Sequence, residues 1–395
     1  MLIKLYTSKK GRKLYCAFVD FKKAFDLVDR SKLWGKLIEG GMSGRVLQVI
    51  QNVYKRAKLS VRLNGTLTQS FSSNIGVLHG EILSPLLFAF FLNDFEPFLA
   101  KKYPGIPADP DINRNNSDDD ELDAFLKLYV LLYADDSILL AESANALQDA
   151  LNALQEYCDV NKIVVNTDQS KEKTKIIIFS RGKVRNIPNF TYGNDPIDVV
   201  FEYTYLGIRF KFNGEFDVAI SKRIELARIA MFSLVQKSNR LGLTLQTQIE
   251  LFEKTVLPVA LYGCEIWGAS NLKQLESFQS QYYKYILKLA RHTPTSMVLG
   301  ETGRMNLKSI IETRMIGYWS RLVNGENSKI AFHIYSIAHV KHDNIDSNFR
   351  SVWLDKIKSI LGNLERDDLW QARSFNADLK SENKRFRKTA FEGRY

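Results

Sequence analysis

Residues 131–141 read LLYADDSILLA, two adjacent aspartates set between two apolar runs. Such runs favour burial, and a buried carboxylate is costly unless it is paired or binds a cation. On an extended strand, neighbouring side chains point to opposite faces, so Asp135 and Asp136 serve one site only if the backbone reverses there. The stretch therefore predicts a tight hairpin, with LKLYVLLY entering and SILLA leaving. A hairpin tip whose acids sit in water is the plain alternative, and the rest of the chain has to decide between them.

A chain of 395 residues can bury more than one core, so two or three domains are expected. The longest apolar stretch, SPLLFAFFLNDFEPFLA, is broken by Asn93, Asp94 and Glu96 and is too short to span a bilayer. The opening MLIKLYTSKKGRK lacks the apolar core of a signal peptide, so an intracellular protein is expected. Cys16, Cys158 and Cys264 lie far apart and suggest neither disulfides nor a zinc ribbon. His339 and His342 come nearest to a metal pair, but without cysteine partners they read as surface histidines. Lysine and arginine number 55 against 44 acids, a net charge of +11 that favours a polyanionic partner, nucleic acid or an anionic membrane.

Residues 1 to about 182 mix strand-like and helical segments. KLYCAFVD reads as a strand, RSKLWGKLIEGG and RVLQVIQNVYKRA as helices, and KLSVRLNG with SFSSNIG as a hairpin-like pair. SPLLFAFFLNDFEPFLAKK reads as a buried helix following a proline, and YPGIPADPDINRNNSDDDELD as an exposed loop. ANALQDALNALQEYCDVNK has helical spacing and precedes a strand, KIIIFSRGK. This order suits an antiparallel sheet with helices on one face, an α+β fold rather than a doubly wound one. After the two-stranded element FEYTYLGIRFKFNGEF, the chain is expected to be mainly helical from about residue 215, with a frayed basic end, KSENKRFRKTAFEGRY.

AFVDFKKAFDLVDR sets Asp20 at the end of an apolar strand, immediately before a helical turn. If that strand pairs with the 126–133 strand, Asp20 lies near Asp135 and Asp136. Three carboxylates so placed repel one another unless cations lie between them. Two Mg²⁺ ions would relieve the repulsion and support in-line phosphoryl transfer. An acidic metal site on a basic chain then asks for a phosphate-bearing substrate. Asp26 and Asp29 read as decoration of the following helix.

These segments resemble, in order, the motifs of the reverse transcriptases of non-LTR (LINE-like, jockey-type) retrotransposons. FVDFKKAFDLVDR is similar to the first palm motif, GVLHGEILSPLLF to the second, YADD to the third, NTDQSKEKTKIIIF to the fourth and YTYLGI to the primer grip. LYGCEIWG and GETGRMNLKSIIETRMIGYW resemble the thumb and post-thumb region, so the resemblance covers nearly the whole chain.

The resemblance implies a right-hand polymerase palm on a ferredoxin-like split βαβ antiparallel sheet, with incomplete fingers, a helical thumb and a helical C-terminal extension. It places the palm with a remnant of the fingers at 1–182, the primer-grip connection at 183–214, the thumb at 215–291 and the extension at 292–395. It implies that Asp20, Asp135 and Asp136 hold two Mg²⁺ ions together with the backbone carbonyl of Phe21. Phe25 would be the steric gate against a ribose 2′-hydroxyl, although its periodicity fits a core aromatic. His79 and Gly80 would lie at the nucleotide, and Gly80 would let the backbone approach it closely. Lys173 would support the leaving pyrophosphate, with a solvated strand-edge lysine as the plain alternative. Tyr205, Leu206 and Gly207 would form the primer grip, or else an ordinary hairpin. The partners implied are an RNA template, a DNA primer and deoxynucleoside triphosphates, with no membrane.

Three departures stand against the family pattern. His79 occupies the place where the second motif normally has glutamine, whose amide both donates and accepts. The fourth motif is stretched between Asn166 and Lys173, which leaves Lys171 and Lys175 as alternatives for its lysine. The chain opens almost at the first motif, so a truncated copy without upstream fingers or endonuclease is expected. A separate chain or a lost upstream segment would then supply those parts, and the competing expectation is an inactive remnant that only binds nucleic acid.

Overall fold

The computed structural model describes residues 1–78, 80–111, 127–133, 136–168, 173–324, 329–345 and 347–372. The chain forms two compact units, one of residues 13–206 and one of residues 1–12 with 207–395.

The first unit is built on a four-stranded antiparallel sheet. Its strands are β1 (Leu14–Asp20), β2 (Val130–Tyr133), β3 (Asp136–Ala141) and β4 (Lys175–Phe179), in the spatial order β2-β3-β1-β4. The predicted pairing of the Asp20 strand with the 126–133 strand is corrected here: β1 lies between β3 and β4, and β2 is the edge strand. The physical reason is the hairpin itself. β2 and β3 pair with each other, and only the outgoing strand has a second free edge facing the centre.

Helices α1 (Arg30–Glu39), α2 (Gly44–Arg56), α3 (Ser84–Phe91), α4 (Phe95–Ala100) and α5 (Ala144–Asn161) belong to this unit. Tyr15, Ala17 and Val19 of β1, Leu139 of β3 and Ile176 and Ile178 of β4 share one core with Leu37, Phe91 and Leu154 of the helices. Alternation puts Cys16, Phe18 and Asp20 on the opposite face. One face of the sheet thus takes the helices, as the sequence pattern predicts.

Several elements differ from their predicted form. The stretch SPLLFAFFLNDFEPFLAKK makes two helices, α3 and α4, with a break at 92–94. Pro97 has no N–H to give to the carbonyl four residues back, so a continuous helix would lose a bond there. The hairpin near residue 65 turns at Asn64–Gly65, both with positive φ (48° and 85°), inside the segment taken as its first strand. The proline-rich loop is not wholly exposed: Tyr103, Ile106 and Ala108 are buried, and Ile106–Pro107 pairs with Lys127–Leu128. Its remainder, 112–123, lies outside the described residues.

The second unit is helical, as predicted from residue 215 onward. Its core gathers Phe252, Phe278, Tyr282, Trp267, Trp319 and Trp370. The Phe252 and Tyr282 rings stack at 4.0 Å, and the Trp319 indole N–H donates to Tyr335 Oη at 2.9 Å. TLQTQIELFEKTVLPVALYG is not a uniform α-helix; a π-helical turn, Phe252–Val256, precedes Leu257–Ala260, whose second residue is Pro258. His339 and His342 are buried (1% and 7% exposed), not at the surface as expected. His342 accepts from the Ser351 N–H and meets Asp355 at 3.2 Å, and the His339 ring lies against Trp370. Burial is affordable because the imidazole of His342 is bonded on both nitrogens. Among the described residues no helix is long and apolar enough to cross a membrane. The basic terminal segment from residue 373 lies outside the described residues.

Asp29 caps α1, accepting from the N–H groups of Ser31 and Lys32, and pairs with Lys162 at 2.9 Å. The Lys162 bond first, then the two backbone donors, hold its carboxyl below the usual carboxylate range. A lowered folded-state value contributes stability that is present above the unfolded value of about 4 and is lost as pH falls through the folded one. Asp29→Ala is expected to cost about 1 kcal/mol at neutral pH. Urea midpoints of the two proteins should converge as the pH is lowered below about 4.

Candidate active site

Asp20 is the last residue of β1, and in the β1–β3 register it stands directly opposite Asp136, the first residue of β3. Residues directly opposite on an antiparallel pair present their side chains on one face with Cβ atoms about 5 Å apart. Two like charges so placed repel, which stabilises any cation between them.

The backbone of Asp20 is held from both sides. Its N–H donates to Thr174 Oγ1 at 3.2 Å, and its carbonyl accepts from the Asn166 N–H at 2.7 Å. The Lys22 N–H donates to the Val164 carbonyl at 2.7 Å, and the Thr174 N–H donates to the Asn166 carbonyl at 3.2 Å. The stretched fourth motif is thus closed at its base on Asn166 and Thr174, both buried.

That closure brings Lys173 Nζ to 3.3 Å from Asp20 Oδ2, both side chains about one-third exposed. Lys175 is instead bound to Asp198 at 2.6 Å and is nearly buried. Of the two candidate lysines within the described residues, Lys173 is the one placed beside Asp20; Lys171 lies outside them. The Lys173 carbonyl accepts from the Tyr203 hydroxyl at 2.8 Å.

Asp135 and His79 also lie outside the described residues. Among the described residues Asp20 and Asp136 therefore stand as a pair, and no cluster of three or more acidic, histidine or cysteine ligands occurs. The donors present, two carboxylates and backbone carbonyls, are hard oxygen ligands of the kind that suit Mg²⁺. The Phe21 side chain is buried and has no donor atom, so the one group it could offer a metal is its backbone carbonyl.

Phe25 is half-buried and stacks on the fully buried Phe88, ring centroids 4.9 Å apart. Both readings of Phe25 thus have a basis: one side of the ring is spent on packing, and the residue keeps part of its surface. Gly80 has φ +81°, and among the described residues nothing lies within 4 Å of the position a Cβ would take. Tyr205 packs on Phe18 at 5.4 Å, and its hydroxyl lies 3.5 Å from the Asp136 carbonyl. Burial, then the Asp136 charge, pushes its phenol well above the ordinary value. Leu206 and Gly207 both have positive φ, the geometry of a tight turn, and the boundary between the two units falls between them.

Sequence reasoning missed Arg30. Its guanidinium donates to the carbonyls of Ser73 (2.6 Å), Gly76 (2.8 Å) and Ile75 (3.2 Å), and it lies over the Tyr54 ring at 4.9 Å. The Gly76 N–H donates to Val28 and the Val77 N–H to the Phe25 carbonyl. Arg30 therefore ties the entry to the second motif onto the turn that carries Phe25. Nothing in the spacing signals this, because the acceptors are all backbone atoms.

Residues 3–210 match the family model described as reverse transcriptase (RNA-dependent DNA polymerase). The chain belongs to the reverse transcriptase family. It is 22% identical to the RNA-directed DNA polymerase from mobile element jockey of Drosophila funebris, over 69% of this chain and 28% of that protein. It is 21% identical to the Pol polyprotein from type-1 retrotransposable element R2 of Popillia japonica, over 72% of this chain and 44% of that protein. It is 22% identical to the probable RNA-directed DNA polymerase from transposon X-element of Drosophila melanogaster, over 72% of this chain and 29% of that protein. The chain thus spans less than half the length of each of these curated relatives.

Gly76 has φ +80°, and a Cβ there would meet the Asp26 carbonyl oxygen at 2.6 Å. Gly76→Ala is therefore expected to lower stability by at least about 1–2 kcal/mol from the left-handed backbone alone. A urea titration of the variant measures this, and an unchanged midpoint would show that the loop relaxes freely.

Proposed function

We propose that this chain is the RNA-directed DNA polymerase part of a non-LTR retrotransposon, joining deoxynucleoside triphosphates to a primer 3′-hydroxyl on an RNA template. The observation that carries the reading is the register that sets Asp20 against Asp136 at the ends of two central strands, on a chain of net charge +11. The order β2-β3-β1-β4 supports a palm of the split βαβ kind within 1–182. In this reading 183–214 is the primer-grip connection, 215–291 the thumb and 292–395 a C-terminal extension.

Asp20, Asp136 and the Phe21 carbonyl, joined by Asp135, would hold two Mg²⁺ ions. When bound, the ions supply Lewis-acid activation of the hydroxyl and charge neutralisation at the departing pyrophosphate. The chain's own groups then orient and exclude. Thr174 and Asn166 fix the Asp20 backbone, so its carboxylate holds its place without reorganising. Lys173, already beside Asp20, offers an ammonium to the leaving phosphates. Phe25, braced on Phe88, would crowd a 2′-hydroxyl. His79 and Gly80 would line the nucleotide, and Tyr205, Leu206 and Gly207 would support the primer end.

The test is Mg²⁺-dependent extension of a DNA primer on an RNA template. Asp20→Asn and Asp136→Asn should each abolish extension while leaving primer–template binding intact. Lys173→Ala should lower kcat by roughly 10²-fold or more, the scale of a lost general acid. Phe25→Val should raise ribonucleotide incorporation relative to deoxyribonucleotide. Binding without extension by the wild-type chain would instead mark a protein that only binds nucleic acid.

A further inference from the structure

The peptide group between Lys173 and Thr174 is held at both poles. Its N–H, on Thr174, donates to the Asn166 carbonyl at 3.2 Å, and its carbonyl, on Lys173, accepts from the Tyr203 hydroxyl at 2.8 Å. A trans peptide is planar, with its N–H and C=O pointing opposite ways. Bonds from both sides therefore fix its orientation, and with it the direction in which the Lys173 side chain departs.

Tyr203 is itself seated on the strand that ends in Asp20. It belongs to the strand Glu202–Tyr205, is half-buried, and its ring lies 4.9 Å from that of Phe18 on β1. Phe18 and Asp20 are two residues apart on β1, so they share a face of the sheet. The contacts close a ring: Phe18 to Tyr203, Tyr203 to Lys173, Lys173 to Asp20 at 3.3 Å, and Asp20 back along β1 to Phe18. Every member lies within the first unit.

The Lys173–Asp20 pair does not hold itself in place. Its side chains are 31% and 30% exposed, and in water an ion pair adds little while a lysine loses rotamer freedom by staying in one geometry. What brings Lys173 to the carboxylate is therefore where its backbone is pinned. We infer that Tyr203 is a positioning residue for Lys173, its hydroxyl setting the 173–174 peptide so that the ammonium reaches Asp20. The hydroxyl is the part that matters, because a phenylalanine ring would pack on Phe18 equally well. The inference deepens the polymerase reading and rests on it for the part Lys173 plays at the leaving phosphates.

Two measurements on the full chain test it. The first needs no turnover: brief acetylation at one fixed pH, without Mg²⁺ or nucleotides, read lysine by lysine by mass spectrometry. Tyr203→Phe should speed acetylation of Lys173 by about threefold, toward the rate in Asp20→Asn, the scale of a lost exposed ion pair. Lys175, bound to Asp198, should be unchanged. The second is a double-mutant cycle on primer extension. Tyr203→Phe should lower kcat by about fivefold, the scale of one hydrogen bond, with KM for the nucleotide kept. In the Lys173→Ala background the same change should have no further effect, because no ammonium is left to place. Tyr192→Phe, which removes a hydroxyl bonded to Cys158, should leave both readouts at wild type.

Unchanged acetylation of Lys173 in Tyr203→Phe would overturn the inference. So would losses from the two substitutions that multiply, because Tyr203 would then act through packing alone. A wild-type chain that extends nothing would fail the polymerase reading instead, and the positioning would still stand or fall on acetylation.

Discussion

The first unit depends on the register between β1 and β3, which sets two carboxylates against each other. Asp20 and Asp136 face each other because β1 and β3 pair in one register, and that register is set by burial rather than by the acids. Ala17 and Val19, with Leu139 opposite Ala17, are packed among the helices on the other face. A slip of one residue would turn the whole apolar set toward the wrong side. The cost of two neighbouring carboxylates is a few hydrogen bonds' worth at most, well below the cost of moving that core. The facing of Asp20 and Asp136 is thus maintained by packing that has no chemistry of its own.

The same logic extends outward from the strand. Thr174 and Asn166 clamp the Asp20 backbone, and their closure carries Lys173 to its carboxylate. Arg30 then joins the loop before the second motif to the turn that carries Phe25. Apart from the Lys173–Asp20 ion pair, each tie runs from a side chain to backbone, or from backbone to backbone.

Much of this was legible from periodicity and punctuation. The hairpin around the paired aspartates, the strand ending at Asp20, α5 and the helical character beyond residue 215 all follow from patterns within single segments. The break between α3 and α4 was legible in Pro97 but was outweighed by the apolar run around it. The burial of His339 and His342 was hidden because their partners, Trp370 and Asp355, lie in later helices.

By itself the sequence determined which residues end up at strand ends and which faces are apolar, because those are consequences of residue spacing along one element. The ordered motifs also determined the family. Only the tertiary structure decided that Asp20 pairs with Asp136 through β3 and not with the edge strand, that Lys173 and not Lys175 reaches the carboxylate, and that Arg30 holds a distant loop. Those are pairings between segments far apart in the chain. They are selected by the packing of the whole core, to which no single segment's pattern gives access.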